Sequence, residues 1–137
     1  MTAKRIFVAY ADHEMTPKET EFFQGLFKAL TDAGFEVSSR PNDRNHSGEV
    51  ILDAVDYDLS KCECVVAFVN RHSTSVGRVL ERSVGLRRPI VCLYQKGTVI
   101  SRTIEGLASR NNITLYEYGD EGQAVRIALN FVHGCKA

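Results

Sequence analysis

The sequence has no net charge: seventeen Lys and Arg cancel seventeen Asp and Glu over 137 residues. Without an excess of either sign there is no long-range field to draw the chain to a polyanion, which argues against nucleic-acid polymers and anionic membranes as partners and makes any anion site local. Long apolar runs are also missing. Nothing approaches the ~20 residues of a membrane span, and the opening MTAKRIFVAY moves into a strand pattern without the apolar core of a signal peptide. Cysteine is scarce, and Cys62, Cys64, Cys92 and Cys135 all lie in or beside apolar segments. That placement predicts reduced thiols in a cytoplasmic protein, not a disulfide framework. Cys62 and Cys64 have no CxxC or HxxxH pair to complete a metal site, so neither a metal nor a cofactor is expected. No repeat, linker or low-complexity segment divides the chain, and its size suits one domain over residues 1–137.

What is present is an alternation of strand and helix signals. Arg5 to Tyr10 reads as a first strand. Thr16, Pro17 and Glu19 then supply an N-cap, a first-turn proline and the acid of a capping box. Phe22, Phe23, Leu26, Phe27 and Leu30 follow at helical spacing, with Gly34 placed to end the helix. Phe35 to Ser38 is a short second strand, and a loop with Pro41 and two Asn leads to Ser47, which is expected to cap a helix running to about Ser60. Ile51, Val55 and Leu59 form its inner face.

The apolar runs Val65 to Val69 and Ile90 to Tyr94 lack alternation and are rich in β-branched residues, as strands covered on both faces should be. A helix lies between them. Val99 to Ala108 is expected to be helical, Ile113 to Tyr118 a fifth strand, and Asp120 to His133 a last helix with Ala124, Ile127, Ala128 and Phe131 inward. The fold class predicted is α/β, a three-layer flavodoxin- or Rossmann-like doubly wound sheet of five parallel strands in the order 2-1-3-4-5.

In that order the switch point falls between strands one and three, where such sheets bind ligands outside their carboxyl ends. Tyr10 to Met15 and Asn70 to Val76 would wall the cleft. Arg71, His72, Ser73, Thr74 and Ser75 make the second wall rich in donors ahead of a helix N-terminus, a combination that attracts phosphate or carboxylate. A plainer reading is that one of these hydroxyls caps the helix and the rest are solvated.

HSTSVGRVLERSVGLRRPIVCLY, residues 72–94, resembles the nucleoside 2-deoxyribosyltransferase family, most closely its small hydrolase branch, which removes the base from 2'-deoxynucleoside 5'-monophosphates. That family reads roughly PS-x-GVG-x-EL-G-x-A, then a Lys-Pro or similar pair and an apolar strand. Ser73, Val76, Gly77, Leu80 and Pro89 match without a gap. Ile51, Leu59, Glu63 and Val65 to Ala67 follow the family spacing upstream, and VISRTIEGLA and LYEYGDEG resemble the hydrolase tail downstream. The resemblance implies a nucleoside monophosphate or related small molecule bound around Tyr10, Arg71, Ser73, Thr74, Ser75 and Gly77. It also implies a homodimer or larger homo-oligomer that uses the helices on either side of the third strand.

The family's chemistry does not carry over with its shape. Its nucleophilic Glu aligns with Val79, the Asp of the preceding helix with Val55, and a tyrosine of the first helix falls near Phe23. The glycine-rich phosphate loop is replaced by YADHEM, whose Asp12 and Glu14 would repel a nearby phosphate. Neither Val nor Phe offers a lone pair or labile proton, so N-glycosidic cleavage is expected to be lost or strongly weakened. Substitute carboxylates are Glu81, about 200° round the helix from Val79, and Asp56 and Asp58, each displaced from Val55 on the same helix, Asp58 by about 60°. His13 and His72 are of a residue type that can act as acid or base, with the plainer reading that they are exposed loop residues.

A second resemblance comes from another class. G-x-x-I-x-x-x-V-x-x-x-L from Gly48 followed by CECVVAFVN is similar to TIR domains, which act as signalling modules or cleave NAD. Their catalytic Glu also falls on Val79, and the SxxVG match belongs to the first family alone.

Overall fold

A computed structural model describes residues 4–39 and 48–135. Side chains of 48–50 are outside the description, as are the Pro41 loop and the expected cap Ser47. Among the described residues ten elements alternate: β1 (Arg5–Ala9), α1 (Pro17–Asp32), β2 (Glu36–Ser38), α2 (Gly48–Lys61), β3 (Cys64–Phe68), α3 (Thr74–Gly85), β4 (Ile90–Gln95), α4 (Arg102–Arg110), β5 (Ile113–Tyr118) and α5 (Glu121–Gly134). All strand pairs are parallel and the sheet order is β2-β1-β3-β4-β5, the doubly wound arrangement that the sequence predicts. Registers such as Ile6 against Cys64 and Val65 against Ile90 align the carboxyl ends of β1, β3 and β4.

The sheet separates two cores because successive strand residues point to opposite faces. Ile6 and Val8 of β1 face α1 and α5 with Leu26, Leu30, Ala124 and Val132. Phe7 and Ala9 face the other way, with Val55 and Leu59 of α2 and Val76, Val79 and Leu80 of α3. All five residues of β3 are buried, which explains its unbroken apolar run. Fully burying a Leu is worth about 1.5–3 kcal/mol, and truncating Leu80, which is completely enclosed, should cost about 2–5 kcal/mol.

Helix boundaries follow side-chain capping. Thr16 Oγ1 accepts from the Glu19 amide at 3.1 Å, and Glu19 Oε1 accepts from the Thr16 amide at 3.2 Å, completing the capping box. Gly34, at φ +97°, ends α1 as expected, and the Phe35 amide returns to the Leu30 carbonyl at 3.1 Å. The structure corrects the start of α4. A helix was expected from Val99, but Ser101 Oγ accepts from the Ile104 amide at 3.2 Å and the helix begins at Arg102. Val99 is left 90% exposed. A cap satisfies an orphan amide, which one more apolar residue does not. In α5, Val132 is buried while the expected Ile127 and Phe131 are only partly covered.

Candidate functional site

The carboxyl ends of β1 and β3 open into two cavities on opposite faces of the sheet. The first, about 340 Å³, lies between β1, α2 and α3. The second, about 330 Å³, lies between the starts of α1 and α5 and the ends of β3, β4 and β5. Tyr10 borders both and stacks on Phe23 with ring centres 4.2 Å apart.

The α2–α3 cavity is where the family's chemistry would reside. Val55 and Val79 both line it, 7% and 5% exposed, beside Phe7, Ile51, Leu52 and Val76. Alternation along β1 and the inward stripes of α2 and α3 put these apolar side chains on one wall. Asp12, Ser39, Thr74, Ser75 and Arg78 supply the polar margin. Asp12 is the one carboxylate lining the cavity among the described residues. A single carboxylate cannot act at once as nucleophile and as the acid that protonates a departing base. The wall can enclose a flat ligand, and the margin can hold its polar end.

Other sequence-predicted residues are distributed differently. Glu81 is exposed on α3 and Asp58 half-buried on α2, and neither lines the α2–α3 cavity. Ser73 is the N-cap of α3, its Oγ accepting from the Val76 amide at 3.2 Å, which leaves Thr74 and Ser75 exposed at the cavity mouth. Ser73 and Gly77 border a smaller cavity of about 200 Å³ with Arg71. The six expected ligand-binding residues therefore fall around three cavities, with Tyr10, Thr74 and Ser75 sharing the one that Val55 and Val79 line. His13 and His72 are exposed.

Arg71 does structural work that its sequence context does not announce. Its Nη2 donates to the Ala11 carbonyl at 2.8 Å and its Nη1 to the Glu14 carbonyl at 3.1 Å, with Glu19 Oε2 3.4 Å from Nη2. The guanidinium thus ties the β3–α3 loop to the β1–α1 loop, where Glu14 adopts φ +54°. Asn70 makes a second tie. Its Nδ2 donates to Tyr118 Oη at 2.7 Å, and its Oδ1 accepts from the Gln95 amide at 2.6 Å. Burial raises the Tyr118 hydroxyl above the ordinary tyrosine range. The Asn70 bond opposes the rise, and the charges of Glu121 and Glu19 add to it.

The sequence reading missed the pairing of Arg78 with Asp56, whose Nη2 and Oδ2 lie 3.3 Å apart, with Arg82 Nε 3.6 Å from Asp56 Oδ1. It joins α2 to α3 across 22 residues, a separation that no local spacing rule reveals. No group of three or more His, Cys, Asp or Glu is arranged to hold a metal ion among the described residues. The four cysteines are free and buried. Burial pushes the Cys62 thiol up to about 11 and the Cys92 thiol to about 12. No described helix is long and apolar enough to cross a membrane.

No family model matches the chain. Curated relatives do. The 5-hydroxymethyl-dUMP N-hydrolase of Rattus norvegicus is 38% identical over 97 residues, covering 68% of this chain and 60% of that protein. Its Mus musculus counterpart is 38% identical over 65 residues, covering 46% and 38%. The chain therefore spans between 38% and 60% of the length of these relatives. Among solved structures, the CMP N-glycosidase BcmB of Clostridium botulinum superposes with a TM-score of 0.73 over 91% of this chain and 98% of that one, at 18% identity. The lysine decarboxylase LdcF of Francisella novicida shares the fold over 97% of this chain but only 18% of its own length, with a TM-score of 0.61 and 13% identity. At such identities the likeness speaks of the fold alone. In sequence the chain is similar to nucleotide N-hydrolases and in fold to an N-glycosidase, which supports its resemblance to the nucleotide N-hydrolase branch of the nucleoside 2-deoxyribosyltransferase family.

Proposed function

We propose that the chain is a nucleotide-binding member of this family in which N-glycosidic cleavage is lost or strongly weakened. The reading rests on one observation: Val55 and Val79, the positions where the resemblance implies an Asp and a Glu, both line the α2–α3 cavity. A nucleoside monophosphate or related small molecule would lay its base against the apolar wall. Its polar end would reach Thr74, Ser75 and Arg78, at the amino end of α3. The protein should bind deoxynucleoside and ribonucleoside 5'-monophosphates in a calorimetric titration. Incubation with the same panel should release no base above the uncatalysed background, and rapid release from any member refutes the loss of activity.

The curated relatives are N-hydrolases, which supports a second reading: an active enzyme with a relocated carboxylate. Glu81 and Asp58 are the candidates, and each would need a local shift of its helix to enter the α2–α3 cavity. Glu81→Gln or Asp58→Asn should then abolish base release. Undiminished release in both variants removes the idea.

Two further parts of the proposal concern setting. Leu52 and Tyr57 stand 43% and 61% exposed on α2, which supports this helix as a contact between copies in a homo-oligomer. Light scattering should give a mass above that of one chain, and Tyr57→Lys should lower it. A reducing, cytoplasmic setting suits four buried free thiols.

A further inference from the structure

The α1–α5 cavity lies on the opposite face of the sheet from Val55 and Val79 and has a different chemistry. About 330 Å³ is within the range of small-molecule sites, roughly 300–1,000 Å³. Part of the lining is aromatic. Phe22 is only partly covered although it meets Phe23 and Phe68 edge-to-face at 5.0 and 5.6 Å, so it presents ring surface to the cavity. The lining is acidic as well. Glu19 and Glu121 line it with one guanidinium, Arg71, which leaves one negative charge.

Arg71 is the one cation in this lining, and two of its five N–H groups are engaged by the backbone. Its Nη1 and Nη2 donate to the Glu14 and Ala11 carbonyls, and its approach to Glu19 Oε2 is long at 3.4 Å. Glu19 Oε2 keeps accepting capacity, and Glu121 is exposed at the start of α5. An anionic ligand would meet two carboxylates and a cation already directed at backbone carbonyls. A cation with N–H groups on a flat ring meets complementary partners in both the aromatic and the acidic parts of the lining.

From this arrangement we infer that the α1–α5 cavity binds a flat aromatic bearing an amidine-like N–H edge, its ring against Phe22 and its N–H groups on Glu19 and Glu121. The inference stands apart from the nucleotide reading of the α2–α3 cavity and does not depend on it. Amino-substituted nitrogen heterocycles in their protonated form share this edge. A carboxylate can accept two parallel N–H bonds from it, the strong geometry for a charged hydrogen-bonded pair.

The test uses benzamidine as the probe and benzoate as its anionic counterpart of similar shape, each titrated into the intact protein by NMR at low salt. Benzamidine should shift resonances of Phe22, Gln95 and Tyr118 and bind at least about tenfold more tightly than benzoate, as expected when a charged pair replaces a charge clash. Glu121→Gln should weaken benzamidine about tenfold. Glu105→Gln, which removes an exposed charge from α4 outside this cavity, should not. Phe22→Leu should weaken benzamidine as well. Equal or stronger binding of benzoate overturns the inference. So does indifference of benzamidine to Glu121→Gln, or the absence of shifts at these residues at millimolar probe.

Discussion

Val55 of α2 and Val79 of α3 are buried in the wall of one cavity although 24 positions separate them in the chain. If missing acids alone silence this wall, Val79→Glu combined with Val55→Asp should produce slow release of base from deoxynucleoside monophosphates, measurable by chromatography against the parent protein. Each change puts a polar group among apolar neighbours, so either one alone should lower stability by about 1–3 kcal/mol. The loss should show as a lower denaturation midpoint.

Asn70 is the joint between three strands. It follows β3, donates to the hydroxyl of Tyr118 at the end of β5 and accepts from the amide of Gln95 at the end of β4. Asn70→Ala removes both bonds and leaves the hydroxyl of a buried tyrosine without this partner, so it should destabilise the fold by about 1–3 kcal/mol. Tyr118→Phe deletes one bond and keeps the ring, and should cost about 1 kcal/mol. Urea unfolding distinguishes them. The midpoint should fall further for Asn70→Ala with the slope unchanged in both.

The contrast between Val79 and Asn70 explains what the sequence made legible. Val79 sits in a helix whose inward stripe is periodic and in a motif with fixed spacing, so its address could be read from the chain. The strands were legible for a related reason: a run such as CVVAF can be buried on both faces without an unsatisfied polar side chain. Asn70 and Tyr118 lie 48 positions apart, and their contact depends on strand order and on where two strands stop. The hold of Arg71 on the Ala11 and Glu14 carbonyls was hidden because main-chain acceptors have no side-chain signature. At α4 two local signals competed, and the hydroxyl of Ser101 prevailed over the apolar Val99.

Arg87 offers a gain in stability. It follows the C-cap Leu86 of α3 at φ +59°, while its amide donates to the Val84 carbonyl and that of Arg88 to Ser83, each at 3.0 Å. This helix ending suits glycine, because a Cβ in left-handed backbone crowds the neighbouring carbonyl by about 1–2 kcal/mol. The side chain of Arg87 is exposed, so little is lost with it. Arg87→Gly should stabilise the protein by up to about 1 kcal/mol, with the greater freedom of glycine in the unfolded chain offsetting part of the gain. A lower melting temperature would show that the arginine makes a compensating contact.

The buried thiols set an alkaline limit. Cys92 is completely enclosed at the centre of β4, and burial raises its thiol from the ordinary 9.0 to about 12. The folded protein therefore retains a proton that the unfolded chain releases. Where the unfolded state binds fewer protons, stability falls as pH rises. The contribution is fully present below pH 9 and is lost progressively up to about pH 12, at about 1.4 kcal/mol per pH unit for one thiol. Cys62, raised from 9.0 to about 11 mainly by burial, adds to the same slope over the lower part of that window. Cys92→Ala should lower stability at neutral pH by about 1 kcal/mol through lost packing and make the decline above pH 9 shallower by one thiol's share. Denaturant midpoints from pH 7 to 11 test this, and parallel curves for parent and variant would mean that Cys92 ionises no later in the folded protein than in the unfolded chain.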